Sequence, residues 1–165
     1  MKVNDLSKLK TRELLVLYLE IIEELRRRKA VRSNNNPVAD YAENLAVKAL
    51  SLKRAQLSTK GFDAEDEEGH KYEIKSRRIT KYNNSRQLSA IRELEHRHFD
   101  FLVGVLLNDD FSVLRACVVP YEEIKRVATY REHTNSWVVH LKDHLWESPG
   151  VRDVTLAFKQ AAESC

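Results

Sequence analysis

Apolar residues recur at three-and-four spacing within residues 6–29, at Leu14, Leu17, Tyr18, Ile21, Ile22 and Leu25, and predict a long amphipathic helix. Its end, LRRRKAVRSNNNP, carries Arg26, Arg27, Arg28 and Lys29. Cations there either complement the helix dipole or meet phosphates. Asn36 followed by Pro37 predicts an N-cap and first helical position for a second helix through VADYAENLAVKALSL. Asp40, Asn44 and Lys48, four residues apart, form its solvated face. Glu43 instead shares a row with Ala39, Ala46, Val47 and Leu50, which sets a carboxylate on or beside the buried stripe. A glutamate so placed either snorkels or bonds a neighbouring backbone, or it has a function.

The period then changes to two. GFDAED and HKYEIKSRRIT alternate on either side of EEG and predict a β-hairpin whose loop ends in a left-handed residue, a place that suits Gly69. Counting from that loop pairs Asp66 with His70 and Asp63 with Glu73, two carboxylates roughly 5 Å apart at Cβ on one face. Alternation adds Lys75 to that face and turns Tyr72 and Ile74 to the other. Like charges set opposite each other require a compensating cation or a raised pKa. A solvated ion pair of Lys75 with the two acids is the plainest outcome, and a one-residue slip would send Asp63 to the wrong face.

After a loop, a third helix is expected to start near Ser85, with Leu88, Ile91 and Leu94 inward. FDFLVGVLL and FSVLRACVV are continuous apolar runs separated by NDD, the pattern of buried central strands joined by a turn. YEEIKRVA after Pro120 predicts a short helix, SWVVHLK a strand and VRDVTLAFKQAAE a closing helix.

Composition narrows the class. With 165 residues, 42% hydrophobic and 32% charged, the chain suits one globular domain. A net charge of +3 only weakly favours an anionic partner. Cys117 lies in an apolar run and Cys165 at the end of the chain, so neither a disulfide framework nor paired zinc spacing is expected. The start, MKVNDLSKLK, has no signal-peptide core, and no apolar run approaches a membrane span. A cytoplasmic protein with no membrane partner and no organic cofactor is the expectation. His70, His96, His98, His133, His140 and His144 show no convincing metal spacing, and Trp137 and Trp146 read as core or interface anchors.

Asp63 and Glu73 on adjacent strands form a hard-oxygen site suited to Mg2+ or Mn2+, with Lys75 beside it and Glu43 as a third acid if its helix packs there. Arg77, Arg78, Lys81, Tyr82, Ser85, Arg86 and Gln87, with Asn83 and Asn84, follow the lysine and as a group suit a nucleic-acid backbone.

Glu43 on a helix, then Asp63, then Glu73-Ile74-Lys75 resembles the restriction-endonuclease-like PD-(D/E)xK superfamily over residues 36–120, and the NNPVADYAE and YEIKSR segments are similar to small uncharacterised bacterial members. Phe62 stands where the family motif has proline. The resemblance implies an α/β fold with a mixed central sheet and an αβββαβ core, here with a long N-terminal helix over residues 1–32 and a strand-helix extension over 121–165. It implies an Mg-dependent endonuclease acting on DNA, often as a homodimer. Asp63, Glu73 and the Ile74 carbonyl would be metal ligands, Lys75 the catalytic lysine, and Glu43 an acid acting through water or a second metal. The alternative is a nucleic-acid-binding or assembly module that keeps the fold without cleavage.

Overall fold

The computed structural model describes residues 6–33, 35–56 and 59–164; Cys165 lies outside the described residues. A 3-10 turn at Leu6–Lys8 precedes helix α1, Thr11–Arg27, which holds the whole apolar pattern but is shorter than the expected span of residues 6–29. Glu13 accepts a hydrogen bond from the Lys10 N–H at 2.7 Å and caps the start. At the other end Arg26 pairs with Glu23, and Arg27 and Arg28 both pair with Glu24. These arginines are therefore held by acids one turn back on their own helix. Only Ile22 of α1 is buried, while Leu15, Val16, Leu19 and Ile21 are exposed.

Helix α2, Pro37–Ala49, starts as the sequence predicts, with the Asn36 side chain accepting from the Val38 N–H at 3.1 Å. Strands β1 (Lys53–Arg54), β2 (Ala64–Glu65) and β3 (Lys71–Arg78) follow. Next come β4 (Phe101–Leu107), β5 (Val113–Pro120), helix α3 (Tyr121–Val127), the small hairpin β6 (Thr129–Arg131) and β7 (Ser136–Val138), then β8 (Arg152–Asp153) and helix α4 (Thr155–Glu163). One mixed six-stranded sheet has the order β1-β2-β3-β4-β5-β8, parallel only between β3 and β4. The fold is mixed α/β. Helices α2 and α4 pack on one face through Leu45, Ala46, Ile74, Val103, Val105 and Phe158. The other face is covered by Leu88, Ile91, Leu94, Leu141 and Leu145 against Leu102, Leu106 and Val119.

That second layer departs from the expected αβββαβ order. No α-helix forms at Ser85: the link from β3 to β4 is extended, with bridges Gln87↔His140 and Ile91↔Trp137 and a 3-10 turn at Leu94–His96. Leu88, Ile91 and Leu94 do point inward, each nearly fully buried. Their uniform spacing of three does not by itself require a helix. The backbone groups of this segment bond residues far along the chain, Leu88 N–H to the Val139 carbonyl at 2.9 Å and Ile91 N–H to that of Trp137 at 2.8 Å. Long-range partners thus replace the i−4 bonds of a helix. SWVVHLK supplies those partners, although only its first three residues form a strand.

The hairpin register is the one its loop length predicts. Ala64 pairs with Tyr72 and Glu65 with Lys71, and the Asp66 N–H donates to the His70 carbonyl at 3.1 Å. Gly69 has φ +85° with open space around its Cα. Asp66 braces the turn, its Oδ1 accepting from the N–H groups of Glu68 and His70 and its Oδ2 from the Tyr72 hydroxyl at 3.0 Å. Gly69→Ala should therefore cost about 1 kcal/mol through the left-handed backbone alone, with no steric part, measurable as a lower urea midpoint with an unchanged slope.

Candidate functional site: acids and a lysine at the sheet edge

Strand β2 begins at Ala64, so the ladder lacks the expected Asp63–Glu73 pair. Asp63 sits in a bend, its N–H donating to the Tyr72 carbonyl at 2.8 Å while its own carbonyl accepts from Ala55 of the β1 side at 2.8 Å. Its carboxylate then does what the ladder no longer does: Oδ2 accepts the Ile74 N–H at 2.7 Å. In an extended strand the N–H and C=O of one residue point to the same side, so the Ile74 carbonyl is also directed at this edge. The carboxylate therefore closes a strand edge that would otherwise leave an N–H unpaired.

Glu73 and Lys75, two apart on β3, form an ion pair with both side chains largely buried. Glu43, from α2, pairs with Arg32 at 3.6 Å. A cleft of about 300 Å³ is lined by Glu43, Asp63, Ile74 and Lys75, with Asn36, Ser76 and Ser89 at its margin. Three of the four predicted site residues thus share one cleft, and Glu73 adjoins it through Lys75. Helix α2 brings Glu43 there because its apolar neighbours Ala42, Leu45 and Ala46 are buried against the sheet.

Electrostatics bear out the expected tension among the acids. Burial, then the charge of Glu73, pushes Asp63 up to about 6, partly offset by the Ile74 N–H, Lys75 and Arg32. Burial, then the charge of Asp63, pushes Glu43 up to about 7. These groups are under mutual strain at neutral pH, and a cation among them would relieve it. The donor set of carboxylates and a carbonyl fits a hard divalent ion.

Two arginines that the sequence pattern did not single out stand beside the acids. Arg32 lines a smaller recess of about 160 Å³ with Asp40, Glu43 and Asp63. Asp40, expected on a solvated face, instead accepts the N–H groups of Arg32 and Ser33 at 2.8 Å and so fixes the approach to α2. Arg54 on β1 has Nε and one terminal nitrogen buried without a hydrogen-bond partner, and the charge of Glu43 acts on it. A lone arginine in SLKRAQ carries no periodic signal that would single it out.

The expected nucleic-acid residues divide into groups. Arg77 donates to the Ser85 carbonyl at 3.3 Å, on the same side of β3 as Glu73 and Lys75. Lys81 lies over the ring of Tyr82, which is 86% exposed on the following turn. Arg86 is tied to Asp143 at 2.7 Å, and Gln87 is drawn into the bridge with His140. Arg78 lies on the opposite face of the sheet, stacked over Phe111 at 4.6 Å, because alternation sends it to the α2 side.

Trp137 and Trp146 pack against the second core layer, as expected. Among the histidines, His96 and His98 are not isolated surface residues: with Glu93 they form a cluster on the turn before β4. Among the described residues no helix is long and apolar enough to cross a membrane. In comparison with known proteins, no family model matches this chain and no curated protein matches it.

Proposed function

We propose that this protein is a metal-dependent nuclease that hydrolyses phosphodiester bonds in DNA. One observation carries the reading: two hairpin residues, Asp63 and Lys75, and the helical acid Glu43 line a single cleft beside the part of β3 that β2 leaves unpaired, with Glu73 joined through Lys75. Mg2+ or Mn2+ held by Asp63, Glu73 and the Ile74 carbonyl, with Glu43 contacting it through water or a second ion, would supply an acidified water and positive charge to offset that of the phosphate.

The side chains have distinct tasks in this scheme. Lys75 presents an ammonium group where negative charge develops on the phosphoryl oxygens. Glu43, titrating near neutrality, is suited to accept a proton from the attacking water. Arg77 and Lys81 offer positive charge to the DNA backbone.

A second reading is favoured by a specific observation. Lys75 is already paired with Glu73 and Arg32 stands 3.6 Å from Glu43, so the site is partly balanced by its own cations. That balance suits a nucleic-acid-binding module that does not cut. Incubation with supercoiled plasmid in Mg2+, Mn2+ or EDTA separates the two: nicked or linear product dependent on metal is expected. Salt-sensitive binding with no product in any metal would assign the protein to the binding class.

A further inference from the structure

We infer that Glu93, His96 and His98 form a second metal site, selective for a borderline divalent transition ion such as Zn2+ and distinct from the acidic cleft. One ligand atom from each residue lies within 4.8 Å of the others. The Glu93 Oε2 to His98 Nε2 separation is 3.4 Å. Tetrahedral bonds of about 2.0–2.1 Å to carboxylate oxygen and imidazole nitrogen give ligand–ligand edges of about 3.4 Å. The carboxylate and imidazole thus already stand at the spacing of one edge of a zinc polyhedron. The rings of His96 and His98 lie edge to face with centroids 5.6 Å apart.

The turn that gathers them is held from several sides. His96 and His98 are two apart, and an extended chain would place them on the same side but Glu93 on the other. Left-handed backbone at Glu93 (φ 51°) and Arg97 (φ 48°) bends the segment around a 3-10 turn instead. Leu94 is buried beneath it, and its carbonyl accepts the Tyr121 hydroxyl at 2.7 Å. Gly61 lies so close that a Cβ there would stand 2.5 Å from that of His98, which restricts the imidazole from below. One of the two adjacent arginines, Arg97, is drawn off over the Tyr121 ring and onto Glu122 at 3.2 Å. Three negative or neutral donors are left facing one another.

The ligand class follows from donor chemistry. Two imidazoles and one carboxylate suit zinc, cobalt or nickel, whereas Mg2+ prefers oxygen donors and octahedral geometry. Three protein ligands leave a fourth position for water. Bound metal would also fasten the irregular β3–β4 link to the entry of β4, a place where an α-helix would otherwise brace a parallel crossover.

Metal-stripped protein titrated with Co2+ at pH 7.5 should develop visible d–d bands of four-coordinate cobalt, saturating at one equivalent, and Zn2+ but not millimolar Mg2+ should displace it. His96→Ala, at an exposed position, and Glu93→Gln should each weaken cobalt binding at least as much as loss of a supporting partner does, about 10–100-fold. Asp63→Asn, which alters the acidic cleft, should keep the four-coordinate bands, because cobalt in an oxygen-lined cleft is octahedral and does not contribute to them, so failure of the nuclease reading leaves this result untouched. Cobalt binding that is absent in the wild type, or equal in wild type and His96→Ala, or lost in Asp63→Asn, would overturn the assignment.

Discussion

Lys75→Ala should lower metal-dependent plasmid cleavage by about 10²–10³-fold, the loss expected when one preorganised positive group at a developing charge is removed. The ammonium group lies in the cleft shared with Asp63 and Glu43, and its partner Glu73 holds it there. Its backbone lies in the middle of β3, paired with Gly104 of β4, so the strand persists without the side chain. Glu73 then keeps a largely buried carboxylate without its cation, which costs stability of about 1–3 kcal/mol. Circular dichroism should report a native fold with a lower melting temperature. Cleavage by Lys75→Ala at the wild-type rate would remove the lysine from the mechanism.

Asp63→Asn should have two effects of opposite sign, loss of cleavage and gain of stability. The amide keeps an oxygen for the Ile74 N–H but removes the charge that burial and Glu73 oppose. The pH dependence follows from the raised pKa. A carboxyl held at about 6 in the fold, against 3.8 as its ordinary value, keeps its proton in the native state after the unfolded chain has lost it. The stability this contributes is complete below about pH 4 and is lost as pH rises through about 6. The stability of Asp63→Asn should therefore exceed that of the wild type by a margin that widens from pH 4 to pH 7, on the order of 3 kcal/mol at the upper end, and is read as a growing difference in melting temperature. Removing the Asp63 charge also relieves Glu43, whose own loss of stability extends to about pH 7.

The same argument links stability to metal. Millimolar Mg2+ at pH 8 should raise the wild-type melting temperature and raise that of Asp63→Asn far less, because the variant lacks one of the carboxylate ligands proposed to hold the ion. A variant no more stable than wild type at pH 8 would show that the acids are relieved by Lys75, Arg32 and Arg54 alone. That outcome would also weaken the case for a resident metal.

The expected elements hold best where local pattern and tertiary demand agree. Asn36-Pro37 capped α2 without help from distant residues, and the EEG loop set the hairpin register through backbone geometry at Gly69. The apolar runs of β4 and β5 had no solvated face to offer and became the buried centre of the sheet. Glu43 was visible as a carboxylate misplaced on an apolar row, and the cleft accounts for it. Leu88, Ile91 and Leu94 show the converse: their burial was legible and their spacing favours a helix over a strand, but bonds to residues 137–141 overrode that preference. Arg54 and the Glu93, His96, His98 group depend on a strand edge and on two left-handed residues, and neither leaves a periodic trace in the chain.

What the sequence alone determined was local geometry: the start of α2, the turn at Gly69, and with it the side of β3 that carries Glu73 and Lys75. What only the tertiary structure decided was which of those groups share a space. Asp63 reaches Ile74 because β2 begins one residue late, Glu43 joins because α2 buries Leu45 and Ala46 on the sheet, and Arg32 and Arg54 arrive from segments distant in the chain. Backbone preferences act over a few residues, whereas burial and charge act across whatever the packing brings near.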